Sequence, residues 1–226
     1  MSGVPLRVLS YNVHGLRDDR SALTGLIREL EPDVVVVQEA PRRFRWRHKC
    51  AALADDIGMV VAAGGLPALG NLILVTLRVS VHETWCLRYP LIPGRHLRGA
   101  AFARCSVKDA RFTVSGSHLA TDPIERPAQA AQWKSALVAV EGPLVAAGDL
   151  NEGPGGPSWR LLERSGYVDH GSSRWRTFPA DRPERRIDAL LVRGDVEVLH
   201  HGDPGVEAGL LAEASDHRPV LAVLEI

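Results

Sequence analysis

The chain has 226 residues, 45% of them hydrophobic and 24% charged, and its 27 basic and 27 acidic side chains cancel. That length can bury a sizeable core, and a balanced charge removes the overall basicity that marks a dedicated nucleic-acid or anionic-membrane binder. Three widely spaced cysteines, Cys50, Cys86 and Cys105, exclude a disulfide framework and a zinc knuckle, and their apolar or strand-like flanks predict buried thiols.

Along the chain, "LRVLSYNV" (6–13), bounded by Pro5 and Gly15, reads as a strand. Residues 19–30 place Leu23, Leu26, Ile27 and Leu30 at helical spacing, with Pro32 as the break. Four consecutive valines in "DVVVVQ" (33–38) predict a strand buried on both faces. A second helix is expected over 43–57 and two successive strands over 71–85. "GAAFARCSV" and "RFTVSGSHLA" form a hairpin around 108–110, and "DPIERPAQAAQWKSALVAV" (122–140) reads as a helix with a Pro-marked start. "PLVAAGD" is a strand, "GGPSWRLLERSG" a short helix closed by Gly166, and "RRIDALLV" and "RPVLAVLEI" are late strands. No repeat, linker or composition shift divides the chain, so one domain over 1–226 is expected. Adjacent strands without intervening helices favour mixed sheets with outer helices over a purely parallel sheet. No leader pattern opens the sequence and no run reaches about 18 apolar residues, which predicts a cytoplasmic protein without a transmembrane segment.

Polar residues recur where the apolar strands stop. Asn12 and His14 follow the first, Gln38 and Glu39 the second, His118 the hairpin, and Asp149 and Asn151 follow "PLVAA" in "GDLNEGP". Asp188 sits in "RRIDALLV", and Asp216 and His217 precede the last strand. Each alone has a plain explanation: a turn or cap at Asn12 and Asp149, a satisfied core histidine at His118, a surface ion pair of Glu39 with Arg42 or Arg43. Six strand boundaries together point to a rim on which a site is built. Carboxylates with amide oxygens and no thiolate suit a hard divalent cation such as Mg²⁺ or Mn²⁺. Two histidines near carboxylates suit proton transfer or stabilisation of a charged oxygen. These are the parts for metal-assisted hydrolysis of a phosphate ester. Neither a nucleophile elbow, nor HExxH, nor a P-loop is present.

The ordered series "SYN", "QE", "GN", "SHL", "GDLN", "RID" and "SDH" resembles the endonuclease/exonuclease/phosphatase superfamily, over nearly the whole chain. The resemblance implies a four-layer α/β sandwich, two mixed β-sheets packed face to face with helices outside. It implies metal ligation by Glu39, with Asn12 beside it and Asp216 near the ion, and Mg²⁺ as cofactor, Mn²⁺ serving as a substitute. It implies that Asp149 activates water and that Asn151 holds phosphate or water. His217 would contact phosphate, oriented by Asp188, with His118 as a second imidazole over the phosphate, Arg98 as a phosphate-contacting cation and Asn71 behind them. The approach to Asn71, "GGLPALGN", lacks the acid that supports the first histidine in the deoxyribonuclease branch, which favours His118 as a phosphate ligand over a general acid.

The implied activity is a phosphodiesterase, foremost a nuclease, on a phosphate-ester substrate that includes nucleic acid. The alternative is a phosphomonoesterase or a phospholipase- or sphingomyelinase-type hydrolase on a small or lipid phosphate, and a third reading is a silent binding protein with the same fold. The basic run "RRFRWRHK" (42–49) either tracks a phosphate backbone, with Phe44 or Trp46 stacking on a base, or is a solvated helix start with inward aromatics. Gly/Pro-rich loops at 64–70, 93–99 and 152–158, and the Arg-rich 175–186, would rim the site. Trp175 and Phe178 there are either stacking platforms or packing residues.

Overall fold

The computed structural model describes residues 3–172 and 174–226. Its eleven strands form two sheets. The first holds β1 (Pro5–Asn12), β2 (Val34–Gln38), β3 (Val60–Gly65), β4 (Asn71–Val75), β10 (Glu197–Gly202) and β11 (Val220–Glu225), in the order β10-β11-β1-β2-β4-β3. The second holds β5 (Ser80–Arg88), β6 (Gly99–Val107), β7 (Ala110–His118), β8 (Leu144–Asp149) and β9 (Asp188–Arg193), in sequence order. Both are mixed: β1 pairs β2 in parallel and β11 antiparallel, and β7 pairs β8 in parallel inside an otherwise antiparallel sheet.

Three apolar layers hold the molecule together. Between the sheets, Val8, Val34, Val36 and Ile73 of one meet Ala103, Val114, Val145 and Leu190 of the other. The remaining face of the first sheet buries Leu9, Val35, Val37 and Leu72 against α1 (Arg20–Leu30), α2 (Trp46–Asp56) and α5 (Ala208–Ala214). The remaining face of the second buries Phe102, Ala146 and Leu191 against Trp133 of α3 (Arg126–Val138) and Trp159 of α4 (Pro157–Glu163). This is the expected four-layer sandwich. The sheets approach so closely at Gly116 that a Cβ there would lie 2.4 Å from Val36 Cγ1.

Local chemistry sets the element ends. Asp19 caps α1 by accepting from the Ala22 N–H at 2.9 Å, and Glu31 closes it in the left-handed region before Pro32. The helix expected from 43 begins at Trp46, because Arg45 takes a positive φ of 57°. The helix expected from 122 begins at Arg126, after a turn in which Asp122 accepts from the Ile124 N–H. β3, β10 and α5 lie where no element was expected. Cys50 and Cys105 are buried as expected, but Cys86 is exposed on edge strand β5, with sheet on one side only. No helix among the described residues is long and apolar enough to cross a membrane.

Candidate active site

Strand register assembles the site. His118 is paired with Asp149 across the parallel β7–β8 ladder, and Asp149 with Asp188 across the antiparallel β8–β9 ladder. Their row therefore crosses one rim of the second sheet. On the first sheet, β1 and β2 end in register at Asn12 and Gln38. Because the sheets are stacked, Asn12 reaches across: its Nδ2 donates to Asp149 Oδ2 at 3.1 Å. Gly148 is required just before the carboxylate, since a Cβ there would sit 1.9 Å from the Ser117 carbonyl oxygen.

The turn in "GDLN" is real and it positions polar groups. Asp149 Oδ1 accepts from the Asn151 N–H at 2.8 Å, an Asx turn that holds Asn151 at a φ of 54°. Asn151 Nδ2 then donates to the Leu119 carbonyl at 3.0 Å and lies 3.1 Å from His118 Nε2. His118 Nδ1 faces Arg98 Nη1 at 3.0 Å, and arginine can only donate, so Nδ1 accepts. The proton of the neutral ring is therefore on Nε2, 3.2 Å from Asp149 Oδ2. Burial, then Arg98, holds the His118 pKa well below the usual range, so the ring is a neutral donor. Arg98 is thus the side chain that supports His118 at Nδ1. Its own pKa is lowered, mainly by burial.

His217 arrives from the loop after α5. Its N–H donates to Ser215 Oγ at 3.3 Å, and that hydroxyl donates to the Asn12 carbonyl at 2.7 Å. His217 Nδ1 lies 2.9 Å from Asp188 Oδ2, Nε2 lies 3.8 Å from Asp149 Oδ2, and the ring packs against Phe178 with centroids 4.7 Å apart. Burial opposes its charge, but Asp188, by charge and hydrogen bond, then Asp149 and Asp216, outweigh it and raise the pKa to about 10. Asp149 moves the other way from an ordinary carboxyl: burial, then the Asp188 charge, push it up to about 7 against the pull of His217, the Asn151 N–H and Asn12. The centre therefore holds a carboxyl poised near neutrality beside a persistent imidazolium.

Two carboxylates stand at the edge of this network. Glu39 follows β2 at a φ of 57°, half-buried, and takes no hydrogen bond or ion pair from another described residue. Asp216 Oδ1 is buried without a partner, while Oδ2 lies 3.7 Å from His14 Nε2. Burial raises the Asp216 pKa, and the Glu39 and Asp18 charges add to that. The unpartnered Asp216 Oδ1 and the unpaired Glu39 carboxylate are hard-oxygen donors, the chemistry that fits a divalent cation of the Mg²⁺ type. Asp149, Asp188 and His217 also offer ligand atoms within 4.8 Å of one another, as do His14, Asp18 and Asp216. Asn71 is behind the site: its Nδ2 bridges the Ala68 and Gly99 carbonyls, each at 2.8 Å, and Gly99 adjoins Arg98.

Several positioning groups escaped the sequence reading. Thr177 Oγ1 accepts the Ile187 and Asp188 N–H groups at 3.1 and 3.2 Å, fixing the start of β9. Arg126 donates to the Ala120 and Thr121 carbonyls and to Glu152, tying the loop after His118 to the loop after Asn151. Gln129 adds a bond from the Ala120 N–H at 2.8 Å. None of the three belongs to a motif. Trp175 is a packing residue whose Nε1 donates to the Pro219 carbonyl, whereas Phe178 lines the site. Beside Asn151 and Asp188 a pocket of about 390 Å³ is lined by Glu152, Arg176, Arg185 and Ile187, among others.

The family model for the Endonuclease/Exonuclease/phosphatase family matches residues 9–217, and the chain belongs to that family. Its members are hydrolases of phosphoesters. Among solved structures the chain resembles an endonuclease/exonuclease/phosphatase from Bacteroides vulgatus, at a TM-score of 0.79 and 18% identity over 99% of both chains. It also resembles a mannosyl-6-phosphatase from Bacteroides thetaiotaomicron, at 0.78 and 17% over 98% of this chain and 100% of that one. The human Nocturnin catalytic domain with bound sulfate follows at 0.77 and 16%, over 98% of this chain and 94% of that one. At these identities the structures establish a shared fold. No curated protein matches the sequence.

Proposed function

We propose that this chain is a divalent-metal-dependent phosphodiesterase, with nucleic acid as the first substrate class, that cleaves by in-line attack of water. The observation that carries the reading is geometric: buried Asp149 lies 3.1 Å from Asn12 Nδ2, 3.2 Å from His118 Nε2 and 3.8 Å from His217 Nε2, on the rim where the two sheets meet. Burial and the Asp188 charge raise its pKa, which makes it a better base toward water than an ordinary carboxylate. His217, kept charged and oriented by Asp188, holds a phosphate oxygen. His118 Nε2–H, the Asn151 amide and Arg98 offer further donors to the charge that develops on phosphorus-bound oxygens. Asn12, Glu39 and Asp216 would hold Mg²⁺ or Mn²⁺. When bound, such an ion neutralises phosphate oxygens and stabilises the leaving oxygen.

The test is hydrolysis of bis(p-nitrophenyl) phosphate and p-nitrophenyl phosphate with Mg²⁺, with Mn²⁺ and with EDTA. Metal-dependent cleavage of the diester is expected, and DNA and RNA follow as substrates. Cleavage of the monoester alone would make the enzyme a phosphatase. Inertness with every metal would leave a binding protein with a silent site. A second reading, a lipid-headgroup diester, is favoured by one observation: apolar side chains stand exposed on the rim at Phe44, Leu91 and Ile124.

A further inference from the structure

Four loops are pinned together on the Arg98 side of the site. Arg42 Nη1 donates to the Leu69 carbonyl at 2.9 Å and to the Leu97 carbonyl at 3.1 Å. Arg88 Nε donates to the Pro67 carbonyl at 3.0 Å, and Arg95 pairs with Asp122. Loops 41–45, 66–70, 90–98 and 121–125 therefore form one rim. It opens onto Arg98, which ends one of them, and onto His118, which precedes another.

That rim is apolar at its tips. Phe44 is 85% exposed, Leu91 62% and Ile124 87%, with Ile92, Leu97 and Leu66 also exposed. These six are nearly half of the 13 large hydrophobic side chains exposed among the described residues. Around them the charge is one-sided although the chain as a whole is neutral. No Asp or Glu occurs over 40–50 or over 85–108. Asp122 is taken by Arg95, and Glu125 is buried, accepting from Gln129. Arg43, Arg45 and Arg47 are exposed and have no ion-pair partner among the described residues.

Exposed apolar clusters mark interaction surfaces, and aliphatic tips set among arginines match a bilayer with anionic headgroups. A single-stranded nucleic acid would call for flat aromatic platforms. Here the tips are chiefly aliphatic, and Trp46 is packed inward, its ring where a Cβ on Gly65 would lie 2.4 Å away, with Arg47 stacked over it. We infer that this rim docks the enzyme on an anionic lipid surface, with Phe44, Leu91 and Ile124 entering the interfacial layer and Arg43, Arg45 and Arg47 against headgroup phosphates. Docked so, the cleft faces the surface, where the second reading, a headgroup phosphodiester, would meet it. The fate of that headgroup rests on the phosphodiesterase reading; the docking does not.

The experiment is co-sedimentation of the full chain with vesicles of phosphatidylcholine and phosphatidylglycerol in equal parts, and of phosphatidylcholine alone, at low and high salt. Binding to the anionic vesicles, weakened by salt, is expected. F44S/I124S and R43Q/R45Q should each weaken it by about tenfold or more. Neither double variant touches the catalytic groups, so each should keep the wild-type rate on bis(p-nitrophenyl) phosphate, which also verifies its fold. Equal binding to neutral vesicles, variants that sediment like wild type, or no sedimentation at all would each overturn the docking. If the vesicles bind but no diester is ever hydrolysed, the docking stands and the phosphodiesterase reading falls.

Discussion

Asp149 and Asp188 face each other across the β8–β9 ladder, and neighbouring buried carboxyls resist ionising together. His217 settles the competition by taking Asp188 as its partner at 2.9 Å, which leaves Asp149 to carry the raised pKa. The metal-free protein should register both shifts. A group whose folded pKa is raised stabilises the fold in its protonated form. The Asp149 contribution is full below its ordinary 3.8 and gone above about 7, and that of His217 is full below 6.5 and lost through about 10. Thermal melts in EDTA should therefore show stability falling from mildly acidic to alkaline pH. A Tm that does not change across that range would show that neither group titrates as described. Asp188→Asn should move the alkaline limb of the rate profile, set by His217 near 10, toward neutral pH and cut kcat by roughly 10²–10⁴-fold. An unmoved limb would remove His217 from the role given to it.

At the scale of elements, the site depends on how three strand ends are held. Thr177→Val leaves the Ile187 and Asp188 N–H groups without their acceptor in a buried setting. A loss of about 1–3 kcal/mol in denaturant unfolding is expected, with a fall in kcat as Asp188 loses its footing. Gly148→Ala should be worse, because its Cβ meets the Ser117 backbone oxygen and not a movable side chain. The same contrast explains what the sequence made legible. Strands β1, β2, β8 and β9 carry dense apolar runs because both faces are covered, and their polar ends are conspicuous. β3 and β10 are edge strands with mostly partly or fully exposed residues, so neither shows a run, and the seven residues of α5 are too few for a clear period. Arg126, Gln129 and Thr177 were illegible for another reason: each works by contacting backbone brought near only by folding. Trp46 and Phe44, separated by Arg45 in one basic run, have opposite fates, and composition carries no signal for that difference.

For the whole molecule, a neutral formal charge conceals an uneven distribution. The acid-free stretches 40–50 and 85–108 meet where Arg42 donates to the Leu97 carbonyl, so net charge alone misjudged the surface. Mixed sheets with outer helices were readable from the strand pattern, and the sandwich itself only through the family resemblance that the ordered motifs carry. The stacking of the two sheets then lets Asn12 touch Asp149, residues 137 positions apart, and this contact joins the end of β1 to the row on the second sheet. Asp149 is the base on which the proposed hydrolysis turns. The decisive measurement is kcat for bis(p-nitrophenyl) phosphate with saturating Mg²⁺ in wild type and in Asp149→Asn, an isostere that keeps the acceptor for the Asn151 N–H. A fall of roughly 10²–10⁴-fold in a folded variant is predicted. A wild-type rate in that variant would contradict the central claim and place the reaction's base elsewhere.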